Sequence, residues 1–160
     1  MAVVTRAIRI DAPAEAVWAV LADIPRQPLW MRDLKEVRVT TPGPVRQGSW
    51  AVGRIRMFGL PAEDPIEIDA FEPGRHFGLV HWGAFGGRGD IWLEADGAGR
   101  TIVRWREQLA PDFARLGLPV QLGLAWRVAD PVLAAVLTVV FRADLRRLKR
   151  LVEGPPRRGA

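Results

Sequence analysis

The chain has 160 residues, 49% of them hydrophobic, the size of one domain that buries about two thirds of the surface its unfolded form exposes. It has no cysteine, which excludes disulfides, thiol nucleophiles and thiolate metal sites. The net charge is +5, but the arginines are scattered and dense only from Arg142 to Arg158, a distribution that speaks against a nucleic-acid surface.

The opening MAVVTRAIRI has no basic segment leading into a long apolar core. Residues 3–10 read as a strand rather than a signal peptide, and a cytoplasmic protein is expected. After Asp11, APAEAVWAVLAD places Pro13 and Glu15 in a first helical turn with Val17, Trp18 and Leu21 on one side. In IPRQPLWMRDL two prolines limit the chain to a turn or two of helix near Trp30, before KEVRVTT resumes as a strand.

From Pro42 to Pro111, the runs SWAVGRIRMF, PIEIDAF, HFGLVHW, GDIWLEA and TIVRWREQL alternate with the turn clusters PGPVRQG, GLPAED, EPGR, GAFGGRG and DGAGR. This is the pattern of an antiparallel meander. With the first two strands the total is about seven, enough for a strongly curved sheet.

Residues 110–129 are apolar but interrupted by Pro111, Gly117, Pro119 and Gly123, and read as a short helix or a loop packed over something. Asp130 and Pro131 then read as the N-cap and first residue of a long helix that ends at Gly154, Pro155 and Pro156. Leu133, Leu137, Val140, Phe141, Leu145, Leu148 and Val152 follow helical spacing, with Arg142, Arg146, Lys149, Arg150 and Glu153 opposite. Upstream of Arg142 this helix is apolar on nearly every side, which predicts cover from both the sheet and the 110–129 segment. Uncharged runs reach only 11 residues, Leu116–Trp126 and Pro131–Phe141. That is short of the roughly 20 needed to span a bilayer. One domain is expected over residues 1–154, with a disordered tail at 155–160.

His76 and His81, five apart in one strand, fall on opposite faces and cannot jointly hold a metal; His81 shares the inward face with Phe77 and Leu79. In TIVRWREQL, Val103, Trp105, Glu107 and Leu109 form the better inward set. An inward Glu107 has a raised pKa unless paired, and a neighbouring arginine is the expected partner. Ser49 lacks the elbow that exposes a nucleophile, and there is no tyrosine. The glycines of AFGGRGD precede a strand rather than a helix, so they read as a turn and not a phosphate loop. Glu63, Asp64, Glu67 and Asp69 read as a half-exposed strand edge rather than a metal site. Seven tryptophans supply core and wall, with Trp30 and Trp126 the candidates for gating a pocket mouth.

The order strand, two short helices, six-strand meander and long C-terminal helix resembles the helix-grip fold of the START-like (SRPBCC) superfamily. That superfamily includes the polyketide cyclase/dehydrase and lipid transport proteins and the birch-pollen-allergen relatives. IRIDAPAEAVWAVLADI is similar to the family's opening strand and helix, PLWMRDLKEVRV to its second helix and following strand, and DGAGRTIVRW to its glycine-turn hairpin into the last strand. The resemblance covers residues 3–153 and implies an α+β fold with a curved antiparallel sheet around the C-terminal helix, enclosing a cavity for apolar molecules.

In such a cavity, alternation points to Trp30, Met57, Leu79, His81, Ile91, Leu93, Trp105, Glu107 and Trp126 as lining. The leading expectation is binding of a hydrophobic or amphipathic small molecule, lipid- or polyketide-like, with no cofactor and no metal. One alternative is a polyketide cyclase or dehydratase in which His81 or Glu107 moves a proton while an arginine stabilises an enolate. The other is a peripheral lipid-transfer protein, monomer or homodimer, whose basic residues Arg142, Arg146, Lys149, Arg150, Arg157 and Arg158 touch anionic membrane surfaces transiently.

Overall fold

In the computed structural model, seven strands form one antiparallel sheet in the order β1-β7-β6-β5-β4-β3-β2. They are β1 (Ala2–Ile10), β2 (Leu34–Val39), β3 (Trp50–Met57), β4 (Leu60–Glu72), β5 (His76–Trp82), β6 (Phe85–Ala95) and β7 (Thr101–Pro111). Helix α1 (Ala14–Leu21) and a 3-10 turn (Ile24–Leu29) connect β1 to β2, and helix α2 (Leu122–Glu153) closes the fold. The structure describes residues 1–57, 60–112, 115 and 122–154, without the side chains of 57, 60 and 122–129. The tail expected at 155–160, residues 113, 114 and 116–121 of the 110–129 segment, and the side chains of Met57 and Trp126 lie outside the described residues.

Each strand after β2 hydrogen-bonds to the one before it, and β7 closes back onto β1, where Val4 stands opposite Glu107. Register shifts at Leu34/Glu36 in β2 and at Ile68/Ala70 in β4 add residues to one side of the ladder, which bends the sheet. The concave face carries Ala51, Ile66, Ile68, Phe77, Ile91, Val103 and Trp105, all buried. Against it α2 sets Leu133, Leu137, Phe141, Leu145 and Leu148, spaced by three or four residues on one stripe. Each such side chain contributes about 1.5–3 kcal/mol through burial. Gln27 donates from Nε2 to the Leu21 carbonyl at 3.0 Å, tying the 3-10 turn to α1, and the Thr101 hydroxyl donates to the Ala12 carbonyl at 2.8 Å, tying the segment before α1 to the start of β7.

Three local expectations are overturned. Helix α2 begins at Leu122, not at Asp130, and carries Pro131 inside it. The Asp130 carboxylate binds the Met1 ammonium instead of capping a helix, so the Asp-Pro pair is not a boundary. The segment GAFGGRG is mostly strand: β6 starts at Phe85, leaving Gly83 and Ala84 as the turn, and β4 likewise reaches back through Pro61 to Leu60. The apolar half of α2 is not covered all round either, since Val132 and Val139 are 66% and 68% exposed. They point away from the stripe that meets the sheet.

Candidate functional site

Between the concave face and α2 lies a cavity of about 100 Å³. Its apolar wall comes from strands (Leu34, Ile55, Ile66, Leu79, Ile91, Leu109) and from Leu137 and Phe141 of the helix. Trp30, Trp105 and Phe141 form an aromatic bank: Phe141 stacks on Trp105 at 4.1 Å and 15°, and Trp30 meets Trp105 edge-on at 5.9 Å and 76°. Such contacts add about 0.5–1.5 kcal/mol beyond their buried area.

Set into this wall is a chain of charged groups from three strands. His81 of β5 donates from Nδ1 to Asp64 Oδ2 at 2.7 Å and from Nε2 to Glu107 Oε1 at 2.9 Å. Trp105 donates from its indole Nε1 to Glu107 Oε2 at 2.9 Å. With a carboxylate on each ring nitrogen, the imidazole carries two protons and a positive charge. Burial alone lowers the His81 pKa, but the hydrogen bonds to Asp64 and Glu107 outweigh it and push it up to about 10.

Glycines make this reach feasible. His81 stands opposite Gly87 of β6, and Glu107 of β7 opposite Gly89, so the contact between them passes over β6 where it has no side chains. A Cβ on Gly89 would lie 2.7 Å from Glu107 Oε2, and one on Gly83 would lie 2.8 Å from Asp64 Oδ1. The glycine cluster therefore serves close approach rather than a turn.

A second pair of carboxyls lies deeper. Asp33 lines the cavity, and Asp144 of α2 is 0% exposed. Asp144 Oδ1 accepts the Arg32 amide at 3.1 Å, while Asp144 Oδ2 and Asp33 Oδ1 are shielded from solvent and have no hydrogen-bond partner among the described residues. Burial, aided by the neighbouring Asp33 charge, pushes the Asp144 pKa up to about 7, and burial also raises that of Asp33.

Of the residues assigned to the wall from sequence, Trp30, Leu79, His81, Ile91, Trp105 and Glu107 line the cavity. Leu93 does not; it is buried in the core, further along β6. Trp30 is 1% exposed, which places it inside the wall and not at a gate. Among the described residues Glu107 pairs with His81 and Trp105 and not with an arginine. Asp64 was hidden by the turn reading of GLPAED, although it shares strand parity with Ile66 and Ile68. Asp144 interrupts the apolar stripe between Phe141 and Leu148, a signal present in the sequence but not used.

Among the described residues, no group of three or more His, Asp or Glu side chains is arranged to hold a metal ion, and no helix is long and apolar enough to cross a membrane. The family model described as polyketide cyclase / dehydrase and lipid transport matches residues 1–153. The chain belongs to this family.

Solved structures place this family member in the START-like helix-grip fold. A START superfamily protein from Mycobacterium smegmatis superposes with a TM-score of 0.75 at 13% identity, over 94% of this chain and 97% of the other. The Zhui aromatase/cyclase from Streptomyces sp. R1128 gives 0.75 at 20% identity, over 94% and 93%. A protein from Deinococcus radiodurans gives 0.66 at 24% identity, over 94% and 95%. No curated protein sequence matches. At these identities the likeness is one of fold.

Proposed function

We propose that this polyketide cyclase/dehydrase and lipid transport family member binds a hydrophobic or amphipathic small molecule, lipid- or polyketide-like, between sheet and α2. The observation that carries this reading is an apolar cavity faced by Trp30, Trp105 and Phe141, with the charged Asp64–His81–Glu107 chain set into one part of its wall. Apolar wall gives affinity and a few fixed polar groups give orientation. His81 is suited to orienting rather than proton abstraction, because both its nitrogens are engaged and its proton is held up to about pH 10.

The test is native mass spectrometry of the mildly purified protein for a copurified molecule, followed by titration with an apolar fluorophore such as anilinonaphthalene sulfonate. Ile55→Phe and Leu79→Phe narrow the cavity and are expected to weaken fluorophore binding without loss of the folded state. Unchanged affinity in both folded variants would overturn the reading.

A second reading, acid–base catalysis as in a cyclase or dehydratase, is supported by the 2.9 Å approach of His81 to Glu107 inside the cavity. In it the imidazolium stabilises a developing enolate, the part assigned from sequence to an arginine. Unchanged turnover in a His81→Ala, Glu107→Ala double variant would sink it. Lipid transfer at a membrane surface draws support from the exposed face of α2, where Val132, Val136 and Val139 continue into exposed Arg146 and Arg150. Co-sedimentation with anionic vesicles that fades with added salt is the expected result, and no binding at low salt counts against it.

A further inference from the structure

The cavity and the surface beside it differ in charge. Among the described residues that line the cavity, the ionisable ones are Asp33, Glu63, Asp64, Glu107 and His81, with no lysine or arginine. Burial, with a contribution from the Glu107 charge, already disfavours the ionised form of Asp33, so an anion brought inside enters an unfavourable field. Outside, a groove of about 530 Å³ lies by β2, an edge strand of the sheet. Ile55, Ala62 and Glu63 line both groove and cavity, and Ile55 and Ala62 are half-buried and stand opposite each other in β3 and β4. The rest of the groove is mainly charged, with Lys35, Arg54 and Arg56 against Glu36 and Glu63.

Two of those three cations have no carboxylate of their own. Arg54 is taken by Glu36 at 3.2 Å. Lys35 Nζ donates to a backbone carbonyl, that of Arg32, at 2.6 Å, and exposed Arg56 has no ion-pair partner among the described residues. The register shift in β2 accounts for the place of Lys35: Leu34 pairs with Ile55 and Glu36 with Arg54, which leaves Lys35 as the extra residue. Such a bulge re-aims a side chain, and here it sets Lys35 in the groove directly after Leu34 in the cavity wall. The Arg56 amide donates to the Asp33 carbonyl at 2.7 Å, which holds β3 to the approach to β2 on the other side of the bulge. We propose that the ligand is an amphipathic anion whose apolar body fills the cavity and whose carboxylate or phosphate head lies in the groove against Lys35 and Arg56; this rests on the cavity being the ligand site. Charge-assisted hydrogen bonds from a lysine and an arginine suit such a head. A neutral head gains nothing from the two cations, and an ammonium is repelled by them.

The experiment is displacement of the uncharged dye N-phenyl-1-naphthylamine from the full chain by octanoate, n-octanol and octylamine, which share one apolar tail. Octanoate is expected to displace the dye at a concentration about ten-fold below the other two, an advantage that shrinks as salt is added. A Lys35→Gln, Arg56→Gln double variant, changed only at exposed side chains, is expected to remove most of that advantage while octanol displaces as before. Glu63→Gln removes a carboxylate from the groove and is expected to tighten octanoate; it keeps the test open if the double variant fails to fold. Phosphatidylserine vesicles run in parallel identify the source of the head. Sedimentation of the parent but not of the double variant marks a head offered from a bilayer, and sedimentation of neither marks a dissolved amphiphile; either result beside the octanoate preference supports the inference. Octanol or octylamine displacing as well as octanoate overturns it, as does an unchanged ranking in both folded variants, and the cavity-binding reading then stands on the dye alone. If neither the dye nor any of the three binds, the cavity-binding reading itself fails and this inference falls with it.

Discussion

The two histidines of β5 stand at the centres of two networks built from the same parts on opposite faces of the sheet. On the concave side, His81 bridges Asp64 and Glu107. On the convex side, His76 donates from Nε2 to Asp90 Oδ1 at 2.8 Å, Asp90 takes Arg88 Nε at 2.8 Å, and Arg88 extends to Asp69. Each relies on a glycine: a Cβ on Gly78 would lie 2.8 Å from Asp69 Oδ1, as one on Gly89 would crowd Glu107. The difference lies in what surrounds them. Arg88 is 41% exposed and shares the convex carboxylates with His76, and solvent supplements both. Its hydrogen bonds, with those from His76, overcome the burial of Asp90 and lower that carboxyl's pKa. Glu107 is 4% exposed, and His81 is the only cation the concave carboxylates have among the described residues lining the cavity. Equal chemistry therefore becomes indispensable on the enclosed face and replaceable on the wet one.

The largest expected effect is at His81. His81→Leu leaves buried Glu107 and half-buried Asp64 without a cation and should cost about 3–5 kcal/mol, whereas His76→Leu, which leaves Asp90 with Arg88, should cost about 1 kcal/mol. Urea unfolding of the two variants measures the contrast, and equal losses would erase it.

Stability against pH comes next. His81 binds its proton more tightly folded than unfolded, so its contribution is complete below its ordinary pKa of 6.5 and is lost as pH rises through about 10. Asp144 works against the fold in a lower window. Its pKa is raised from 3.8 to about 7, so the folded state holds a proton that the unfolded chain releases, and stability falls as pH climbs through that interval. Asp144→Asn should remove this slope and stabilise the protein above neutrality by on the order of 2–4 kcal/mol. A parallel pH–stability curve for the variant would contradict the assignment.

A smaller effect is expected from the glycines. Gly89→Ala pushes against the buried Glu107 and should cost about 1–3 kcal/mol, and Gly78→Ala, whose Cβ would meet Asp69 Oδ1, Ala70 Cβ and Asp90 Oδ1 at 2.8, 3.0 and 3.1 Å, should cost a similar amount. Imidazole resonances of His81 should shift in the first variant and those of His76 in the second. Smallest of all is the salt response. The coupling of Arg88 to Asp69 in a double-mutant cycle should stay below about 1 kcal/mol and shrink in high salt, while that of His81 to Glu107 should barely change.

Much of this was legible along the chain. Five-residue spacing put the two histidines on opposite faces, and period-two alternation put Trp105 and Glu107 beside each other on the concave one. Asp64 was obscured because Pro61 suggested a turn where β4 tolerates it near its start. Asp144 stands among Arg142, Arg146 and Arg147 in the sequence, yet it is three residues from Phe141 and four from Leu148. That spacing puts it on the buried stripe, but no local pattern says that it meets Arg32 and Asp33 there.

Element type, strand parity and the amphipathic stripe of α2 were determined by the sequence alone, because each follows from repeats of two or 3.6 residues within a single segment. Only the tertiary structure decided that Glu107 would reach His81 across the glycines of β6, that Asp33 and Asp144 would be buried in each other's field, and that Asp130 would bind the Met1 ammonium. These are meetings between segments far apart in the chain, set by the sheet's curvature and register, and the charge of a buried group depends on whom it meets.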